Sequence, residues 1–449
     1  MPQTLSVSRR QFVAGVCTAL AAGVGQAAAP RTWRVGAARR EITPPLDVGI
    51  LMSSGQRKWA PFEGVRLPLH ARAAVVENHQ ARVALVALDL LGLAGEAVGG
   101  MDDFKRRVAA SAGAGWKADQ IVLASTHTHS APESLALTDL CRTEAFRKWA
   151  TRLAERIGDA VRGAAGSLLP CSLAAASLPA QGLSVNRRIK TARGVVSHRA
   201  VRPGDVVHGP EGPTDDEVRV LAFLGESGRP AAIFVNATAH PVYEMRIQQV
   251  SPDYPGAMTR LLEQRHPGAV AMFFQGAAGN INPPRVSTGA ADAQQHGRQL
   301  ADLADQALRR LRSVEGDELA VRWRTIRLPA RSPDGNPRPE PLLAAVAALR
   351  LGQSAMVFLP GEPFVEIGHA IRKASPFAFT AVVGYAEDYV GYVPTDQAFR
   401  NGGYETGPGA WSRAAPGSEA ILRREGIDLL RSLEGVGPEG PSPGGGSRR

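Results

Sequence analysis

In the stretch IVLASTHTHSAPES (residues 121–134), an apolar run typical of a buried β-strand is followed by two histidines, His127 and His129. Strands that carry functional residues at their carboxyl ends are typical of α/β folds. Residues two apart on an extended chain project to the same side, so both imidazoles can face one pocket. A pair of histidines is weak evidence for a metal site when taken alone, since histidine is also an ordinary polar residue. Similar runs elsewhere in the chain make the evidence stronger.

Three further apolar runs end in a residue that can bind a metal ion. IFVNATA (233–239) precedes His240, MVFLPG (356–361) precedes Glu362, and TAVVGYAEDYVG (380–391) precedes Tyr392. In α/β proteins the carboxyl ends of neighbouring strands meet at one crevice, so residues distant in sequence can bind the same ligand. Taken singly, His240 would be a structural histidine, Glu362 a helix cap and Tyr392 a packing residue. Together they predict a metal site.

The order of elements predicts an α/β protein with a single catalytic domain over residues 30–436. Strand-like runs such as ARVALVALDL (81–90) alternate with helical patterns such as AFRKWATRLAERIGDAVRGA (145–164), which is typical of this class. Two segments rich in Gly, Pro and polar residues, 185–217 and 393–417, are predicted to be long functional loops. Further helices are predicted at 255–266, 288–314, 340–350, 363–374 and 418–433.

The two ends of the chain have compositions of their own. Paired arginines, an apolar segment and small residues predict a twin-arginine export signal at residues 1–29, and hence a periplasmic or secreted protein. No later run reaches the ~20 apolar residues of a membrane helix. Residues 437–449 are predicted to be a disordered tail.

The chain has a net charge of +10 but no dense Lys/Arg stripe, which argues against nucleic-acid binding and favours contact with anionic envelope surfaces. Whether Cys141 and Cys171 pair is left open, because sequence gives no separation between them.

Several polar residues beside these runs are candidates for substrate contacts. The turn GAAGNINP (276–283) contains Gly276 and Asn282, and its glycines allow the close backbone approach that an oxyanion hole requires. In VNRR (185–188), Asn186 and Arg187 can hold a carbonyl or carboxylate group, whereas Arg188 is predicted to be a solvated charge. Asp89 and Asp253 are considered as ligands of a second, structural cation, although the capping of turns and helices is the favoured role.

Seven motifs, in order over about residues 34–434, resemble those of the catalytic domain of the neutral/alkaline non-lysosomal ceramidase family. They are GAARREITPP (36–45), STHTHSAPE (125–133), VNRR, NATAHP (236–241), GAAGNINP, LPGEPF (359–364) and GYAEDYVGYVPT (384–395). The resemblance implies a mixed sheet core flanked by helices and one Zn²⁺ ion bound by His127, His240, Glu362 and Tyr392. It also implies that His129 lies close to the substrate carbonyl, that Arg187 lines the same site and that Tyr404 lies in a loop beside the pocket. Tyr389, in the tyrosine motif, is a further candidate for a substrate contact.

Two departures from the family pattern shape the expected function. By the resemblance, Asn282 stands where the family carries a serine, and we expect no counterpart of the family's C-terminal β-sandwich domain after the last helix. We therefore expect a zinc-dependent amidohydrolase in which zinc-bound water, not a serine, attacks an N-acyl bond. His129 would transfer the proton, and Arg187 and Asn282 would stabilise the oxyanion. The expected partner is an acylated small molecule or lipid. The alternatives are a zinc esterase or amidase acting on a non-sphingolipid acyl compound, or a catalytically inactive metal-binding homologue.

Overall fold

A computed structural model describes residues 32–435, so the predicted export signal and tail lie outside the described residues. These residues form one large mixed sheet of nine strands. The strands are β1 (Trp33–Glu41), β2 (His70–Glu77), β3 (Arg82–Leu88), β4 (Ile121–Ser125), β5 (Leu169–Pro179), β6 (Glu217–Leu224), β7 (Pro230–Ala237), β8 (Val270–Gln275) and β9 (Arg312–Ser313). Their spatial order is β8-β7-β6-β5-β1-β2-β3-β4, and β9 pairs with β5. Neighbouring strands are antiparallel except β3 with β4 and β7 with β8.

A second sheet of four strands packs face to face on the first. Its strands, in spatial order, are β10 (Leu319–Arg331), β11 (Pro337–Leu351), β12 (Ser354–Phe358) and β13 (Phe379–Val383), with β12 and β13 parallel. The prediction of a helix at 340–350 is wrong, because this segment lies inside β11 and pairs with both β10 and β12. Its alanines and leucines favour a helix locally, but cross-strand pairing and burial on both faces decide the structure.

The helices form the outer layers. The main ones are α1 (Met101–Ala112), α2 (Glu144–Ala165), α3 (Asp253–Arg265), α4 (Ala290–Leu308), α5 (Val365–Ala374) and α6 (Ser418–Glu434). Along β3, Leu85 and Ala87 face the second sheet, whereas Val86 and Leu88 pack under α1 and α2, as the twofold alternation of a strand requires. Helices α3 and α4 cover the rest of the large sheet, and α5 and α6 cover the small one.

The predicted mixed sheet flanked by helices is confirmed. The helices predicted at 255–266, 363–374 and 418–433 are also confirmed, to within three residues at each end. The helix predicted at 288–314 is shorter and spans Ala290–Leu308.

Short elements and loops complete the fold. Within the predicted excursion 185–217, Arg188–Thr191 pairs with Gly194–Ser197 and Val207–Pro210. The helices Gly95–Val98 and Asp396–Asn401 lie in connecting segments. The remaining short strand pairs are Ile50–Ser53 with Lys58–Ala60, Gly64–Val65 with Gln249–Val250, Val185–Asn186 with Ile281–Asn282, and Glu362–Pro363 with Tyr392–Val393.

No disulfide joins Cys141 and Cys171, which belong to cores on opposite faces of the large sheet. Across residues 32–435 there is no helix with the length and apolar character to cross a bilayer.

Candidate metal centre

The candidate site lies where strands of both sheets end. His127 follows β4 and His240 follows β7 of the large sheet, whereas Glu362 follows β12 and Tyr385 follows β13 of the small sheet. The two sheets are joined at this edge by a backbone hydrogen bond from the Ser125 N–H to the Tyr385 carbonyl, 2.9 Å long. Side chains from four strand ends therefore meet at one place, as the crevice rule for α/β sheets leads one to expect.

Two of the predicted ligands, His127 and His240, share one oxygen atom of a third, Glu362, as their common neighbour. Oε2 of Glu362 lies 3.3 Å from Nε2 of His127 and 3.2 Å from Nε2 of His240. Nε2 of His129 lies 3.2 Å from Nε2 of His127. The ligand atoms of His127, His129 and His240 all lie within 4.8 Å of one another. His127, His240 and Glu362 are buried, whereas His129 is partly exposed to the cavity described below.

The second nitrogen of each buried imidazole fixes its tautomer. Nδ1 of His127 lies 2.6 Å from the Leu91 carbonyl oxygen, and Nδ1 of His240 lies 2.9 Å from the Ile281 carbonyl oxygen. A carbonyl oxygen only accepts, so Nδ1 carries the proton and the lone pair of Nε2 points toward Glu362. Two imidazole lone pairs and a carboxylate oxygen that face one another are an arrangement in which such groups bind a cation. This donor set fits a divalent metal of the zinc type.

The electrostatics of the site favour the forms of these side chains that bind metals. Burial lowers the pKa of His240 to about 4, and the positive charge of Arg187 adds to this effect. Burial also lowers the pKa of His129 well below its ordinary value, and His127 and His240 contribute. Burial alone would raise the pKa of Glu362, but His127 and His240 hold it well below the usual range. Neutral imidazoles and an ionised carboxylate are the forms in which these groups ligate.

Two tyrosines hold the ligands in place. The Tyr389 hydroxyl donates to Oε1 of Glu362 over 2.9 Å. The Tyr385 ring stacks on His127 with a centroid distance of 4.1 Å, and its hydroxyl lies 3.5 Å from Oε2 of Glu362. Sequence reasoning missed Tyr385, although it lies within the tyrosine motif that contains Tyr389 and Tyr392. Tyr389 is thus a positioning residue for the carboxylate.

Tyr392, the predicted fourth ligand, is buried beside this group. It pairs with Glu362 in a short parallel bridge, and its ring centroid lies 5.3 Å from the guanidinium carbon of Arg187. Burial raises the pKa of Tyr392 well above its ordinary value, although Arg187 opposes the shift. A phenolate at this position would need a cation nearby. The role of Tyr392 as a ligand stays a prediction.

Arg187 connects the candidate metal site to the Gly-rich turn. Its Nη1 lies 3.3 Å from Nε2 of His240 and 3.3 Å from Oδ1 of Asn282, and its Nη2 donates to the Gly279 carbonyl over 2.7 Å. Its Nε donates to Glu405 over 2.7 Å. This brings three of the predicted catalytic and ligand residues, Arg187, Asn282 and His240, into direct contact.

The prediction that Arg188 is solvated is wrong. Its side chain is 1% exposed and forms ion pairs with Glu211 and Glu405, the latter 2.5 Å long. Glu405 therefore bridges both arginines. No local pattern in the sequence could have indicated this, because Glu405 is more than 200 positions away from either arginine.

A cavity of about 260 Å³ opens onto the site, and Tyr404 is the one predicted substrate-binding residue that lines it. His129, Arg187, His240, Asn282 and Tyr392 line it as well. Asn186 instead donates to the Pro213 carbonyl over 2.9 Å, and the Gly276 N–H donates to the Ala237 carbonyl over 2.9 Å. The polar groups of Asn186 and Gly276 thus stabilise loops. A wider groove of about 760 Å³ beside Lys105 and Trp323 contains none of the proposed ligands.

The two aspartates considered for a second cation make structural contacts. Asp89 accepts a 2.8 Å hydrogen bond from Arg72, and Asp253 accepts backbone N–H groups of Glu244 and Tyr254 over 2.8 Å and 2.6 Å. Between residues 32 and 435, no group of three or more His, Cys, Asp or Glu side chains away from this site is close enough to share a metal ion. A second cation stays a prediction.

Comparison with solved structures places this fold. The chain superposes on the crystal structure of neutral ceramidase from Pseudomonas aeruginosa with a TM-score of 0.71 and 21% sequence identity, covering 92% of this chain and 76% of that one. A ceramidase complexed with C2 gives a TM-score of 0.72 at 21% identity, with 92% and 77% covered. Neither a family model nor a curated protein matches the sequence. The class that the fold defines is therefore an α/β protein of the neutral ceramidase type, which confirms the predicted resemblance at the level of fold.

Proposed function

We propose that this protein is a zinc-dependent amidohydrolase that cleaves the amide bond of an N-acyl compound, in a ceramidase-like reaction. The observation that carries the proposal is the convergence of His127 Nε2, His240 Nε2 and Glu362 Oε2, next to a cavity that His240 lines. The fold shared with neutral ceramidase supports the same reaction class. The twin-arginine pattern at residues 1–29 leads us to propose that the reaction takes place outside the cytoplasm.

His127, His240 and Glu362 would hold the ion, with Tyr392 as the fourth ligand. When bound in such a site, a zinc ion supplies Lewis acidity and lowers the pKa of a water molecule to roughly 7. The surrounding residues have already fixed the orientation of the ligands, since Leu91 and Ile281 bind the distal imidazole nitrogens and Tyr389 binds the carboxylate. Such supporting contacts tune metal affinity.

His129 is the proposed proton carrier. It lines the cavity, and its lowered pKa keeps the imidazole neutral and able to accept a proton at pH 7. In hydrolysis, water adds to the amide carbon, the C–N bond breaks, and the departing nitrogen receives a proton. His129 would take the proton from water and deliver it to that nitrogen. Proton transfer of this kind typically raises the rate by roughly 10²–10⁴-fold.

Arg187 and Asn282 would stabilise the negative charge that develops on the carbonyl oxygen. Both line the cavity and contact each other, and one such donor is typically worth about 3 kcal/mol of barrier. An asparagine side chain cannot serve as a nucleophile in place of a hydroxyl group. We therefore propose direct attack by water, and an acyl group trapped on the protein during turnover would contradict this mechanism.

Two substitutions separate metal binding from proton transfer. His127→Ala is expected to lose both the stoichiometric zinc measured by elemental analysis and the hydrolysis of an N-acyl sphingosine. His129→Gln is expected to retain zinc and lose turnover by about 100-fold or more. His266→Ala is the matched control, because His266 pairs with Asp305 away from the cavity. Retention of both zinc and turnover in His127→Ala would refute the proposal.

The size of the cavity favours a second candidate substrate class. Pockets for drug-sized ligands are typically about 300–1,000 Å³, and this cavity measures about 260 Å³. A zinc esterase or amidase acting on a smaller, non-sphingolipid acyl compound is therefore the alternative. Comparison of N-acyl sphingosine with short acyl esters and N-acyl amino compounds distinguishes the two. Bound zinc without turnover on any member of this panel would indicate an inactive metal-binding homologue.

A further inference from the structure

The charges around the cavity do not balance. Arg187 and Arg188 line it, but Glu405 and Glu211 neutralise them through buried ion pairs. Arg199 lines the same cavity and belongs to the short helix His198–Ala200. The His198 N–H donates a 2.7 Å hydrogen bond to the Arg187 carbonyl, which holds this segment against the site. Arg199 is exposed, and no carboxylate of residues 32–435 forms an ion pair with it. It is a cation in excess at the rim.

A second arginine without an ion pair in the described chain, Arg246, lies close to Arg199. Partial burial and then the positive charge of Arg246 lower the pKa of Arg199, in line with the position of Arg246 next to a wall of the cavity that Arg199 lines. Arg246 follows Met245, a residue of the cavity wall. Two like charges close together without counterions repel each other. An anion bound between Arg199 and Arg246 would relieve this repulsion.

The backbone at Arg246 supports a role for its side chain. A turn closed by the Ile247 N–H and the Glu244 carbonyl, 3.2 Å apart, holds Arg246 at φ 77°. This left-handed conformation suits glycine and costs about 1 kcal/mol or more for other residues. Arginine occupies the position despite this cost. Strained non-glycine residues cluster at functional sites.

A large part of the cavity wall is apolar. Val195, Val196, Val242, Met245 and Val286 line it, together with Tyr404. This surface suits an acyl chain, and the volume of about 260 Å³ limits the chain to a modest length. An acyl group and an anionic group can thus be bound in one compact site. A neutral lipid with two long chains would leave the arginines without a partner.

We propose that Arg199 and Arg246 bind a carboxylate carried by the substrate itself, so that the substrates are N-acyl amino acids and similar anionic N-acyl amines. This inference rests on the proposed function. The reaction would consume one water molecule, break the amide C–N bond, and yield a fatty acid and a free amino acid. The two arginines are specificity residues that contact the substrate away from the bond that breaks.

The test compares N-octanoylglycine with its uncharged carboxamide on the zinc-loaded protein. We expect the wild type to favour the carboxylate in kcat/KM. Each of Arg199→Ala and Arg246→Gly should lower the carboxylate-to-carboxamide ratio by about fivefold, the upper range for a solvent-accessible ion pair. Arg246→Gly removes the charge and relieves the strain of the left-handed turn, so added backbone strain cannot account for a loss of activity. Arg199→Lys should restore part of the ratio.

Arg229→Ala is the matched control, because Arg229 is an exposed arginine just before β7, at the end opposite His240. An equal loss for both compounds would overturn the inference and would show that the arginines only support the loop. A loss confined to N-acyl sphingosine in vesicles of anionic lipid would also overturn it, in favour of membrane attachment.

If neither compound is hydrolysed, the proposed function fails, but the inference can still be decided. Calorimetric binding of the two compounds to the same variants then shows whether the arginines discriminate the carboxylate. Equal affinity of the wild type for both compounds would refute the inference.

Discussion

Removal of the Glu405 carboxylate should destabilise the fold by a predictable amount. This side chain is 3% exposed and pairs with Arg187 at 2.7 Å and with Arg188 at 2.5 Å, whose side chains are 8% and 1% exposed. Arg188 keeps Glu211 as a partner, so Arg187 would carry the uncompensated charge. Breaking a buried ion pair typically costs about 3–5 kcal/mol. We expect Glu405→Ala to lower the free energy of unfolding by about 3 kcal/mol, the lower end of that range.

Urea unfolding followed by circular dichroism measures this change. Glu144→Ala is the control, since Glu144 and Lys148 form an ion pair with side chains 80% and 68% exposed, and such pairs contribute about 0.5 kcal/mol or less. If Glu405→Ala and Glu144→Ala were equally stable, the argument from burial would be refuted.

The stabilisation by Glu405 should also depend on pH. Burial alone would raise its pKa, but Arg187 and Arg188 outweigh burial and lower it. A carboxyl group with a lowered pKa stabilises the fold above its unfolded pKa, and the stabilisation is lost as the pH falls through the folded pKa. The difference in stability between the wild type and Glu405→Gln should therefore shrink below about pH 4. A difference that stayed constant from pH 7 to pH 3 would contradict the assignment.

Two further substitutions test the surroundings of the site. Gly279→Ala would place a Cβ atom 2.4 Å from the Glu362 carbonyl oxygen, so we expect a loss of about 1–3 kcal/mol in urea unfolding and lower zinc content; Gly435→Ala, with open space around it, is the control. Burial raises the pKa of Asp253 to about 7, so the folded state binds a proton that the unfolded state releases, and stability should fall as the pH rises from about 4 to 7. Asp253→Asn should remove this dependence, and an unchanged pH profile would exclude Asp253 as its source.

Local sequence patterns predicted the parts of the site that depend on strand ends. His127, His240 and Glu362 each follow an apolar run. When such a run forms a buried strand, the residues that follow it lie at the edge of the sheet where the strand ends. The motif order then indicated which protein family to compare. These residues meet in the structure because the pattern is local and the crevice is a general property of α/β sheets.

Non-local pairing explains what the sequence could not predict. Segment 340–350 contains good helix formers, and only its partners β10 and β12 make it a strand. Arg188 was predicted to be a solvated charge, but in the fold Glu405 and Glu211 form buried ion pairs with it. Gly276 was expected to offer its amide to a ligand, yet Ala237 accepts that hydrogen bond. Each of these outcomes depends on a residue that only the folded chain brings near.

The division of the donor atoms between two sheets links ion affinity to the protein interior. The imidazoles follow strands of the large sheet and the carboxylate follows a strand of the small one, so a bound ion would crosslink the two layers. The spacing between the layers is set by interior side chains such as Phe274 and Phe358, whose rings lie 6.4 Å apart. Repacking of that interior would therefore alter the affinity of the proposed metal site, without any change in a side chain proposed to contact the ion.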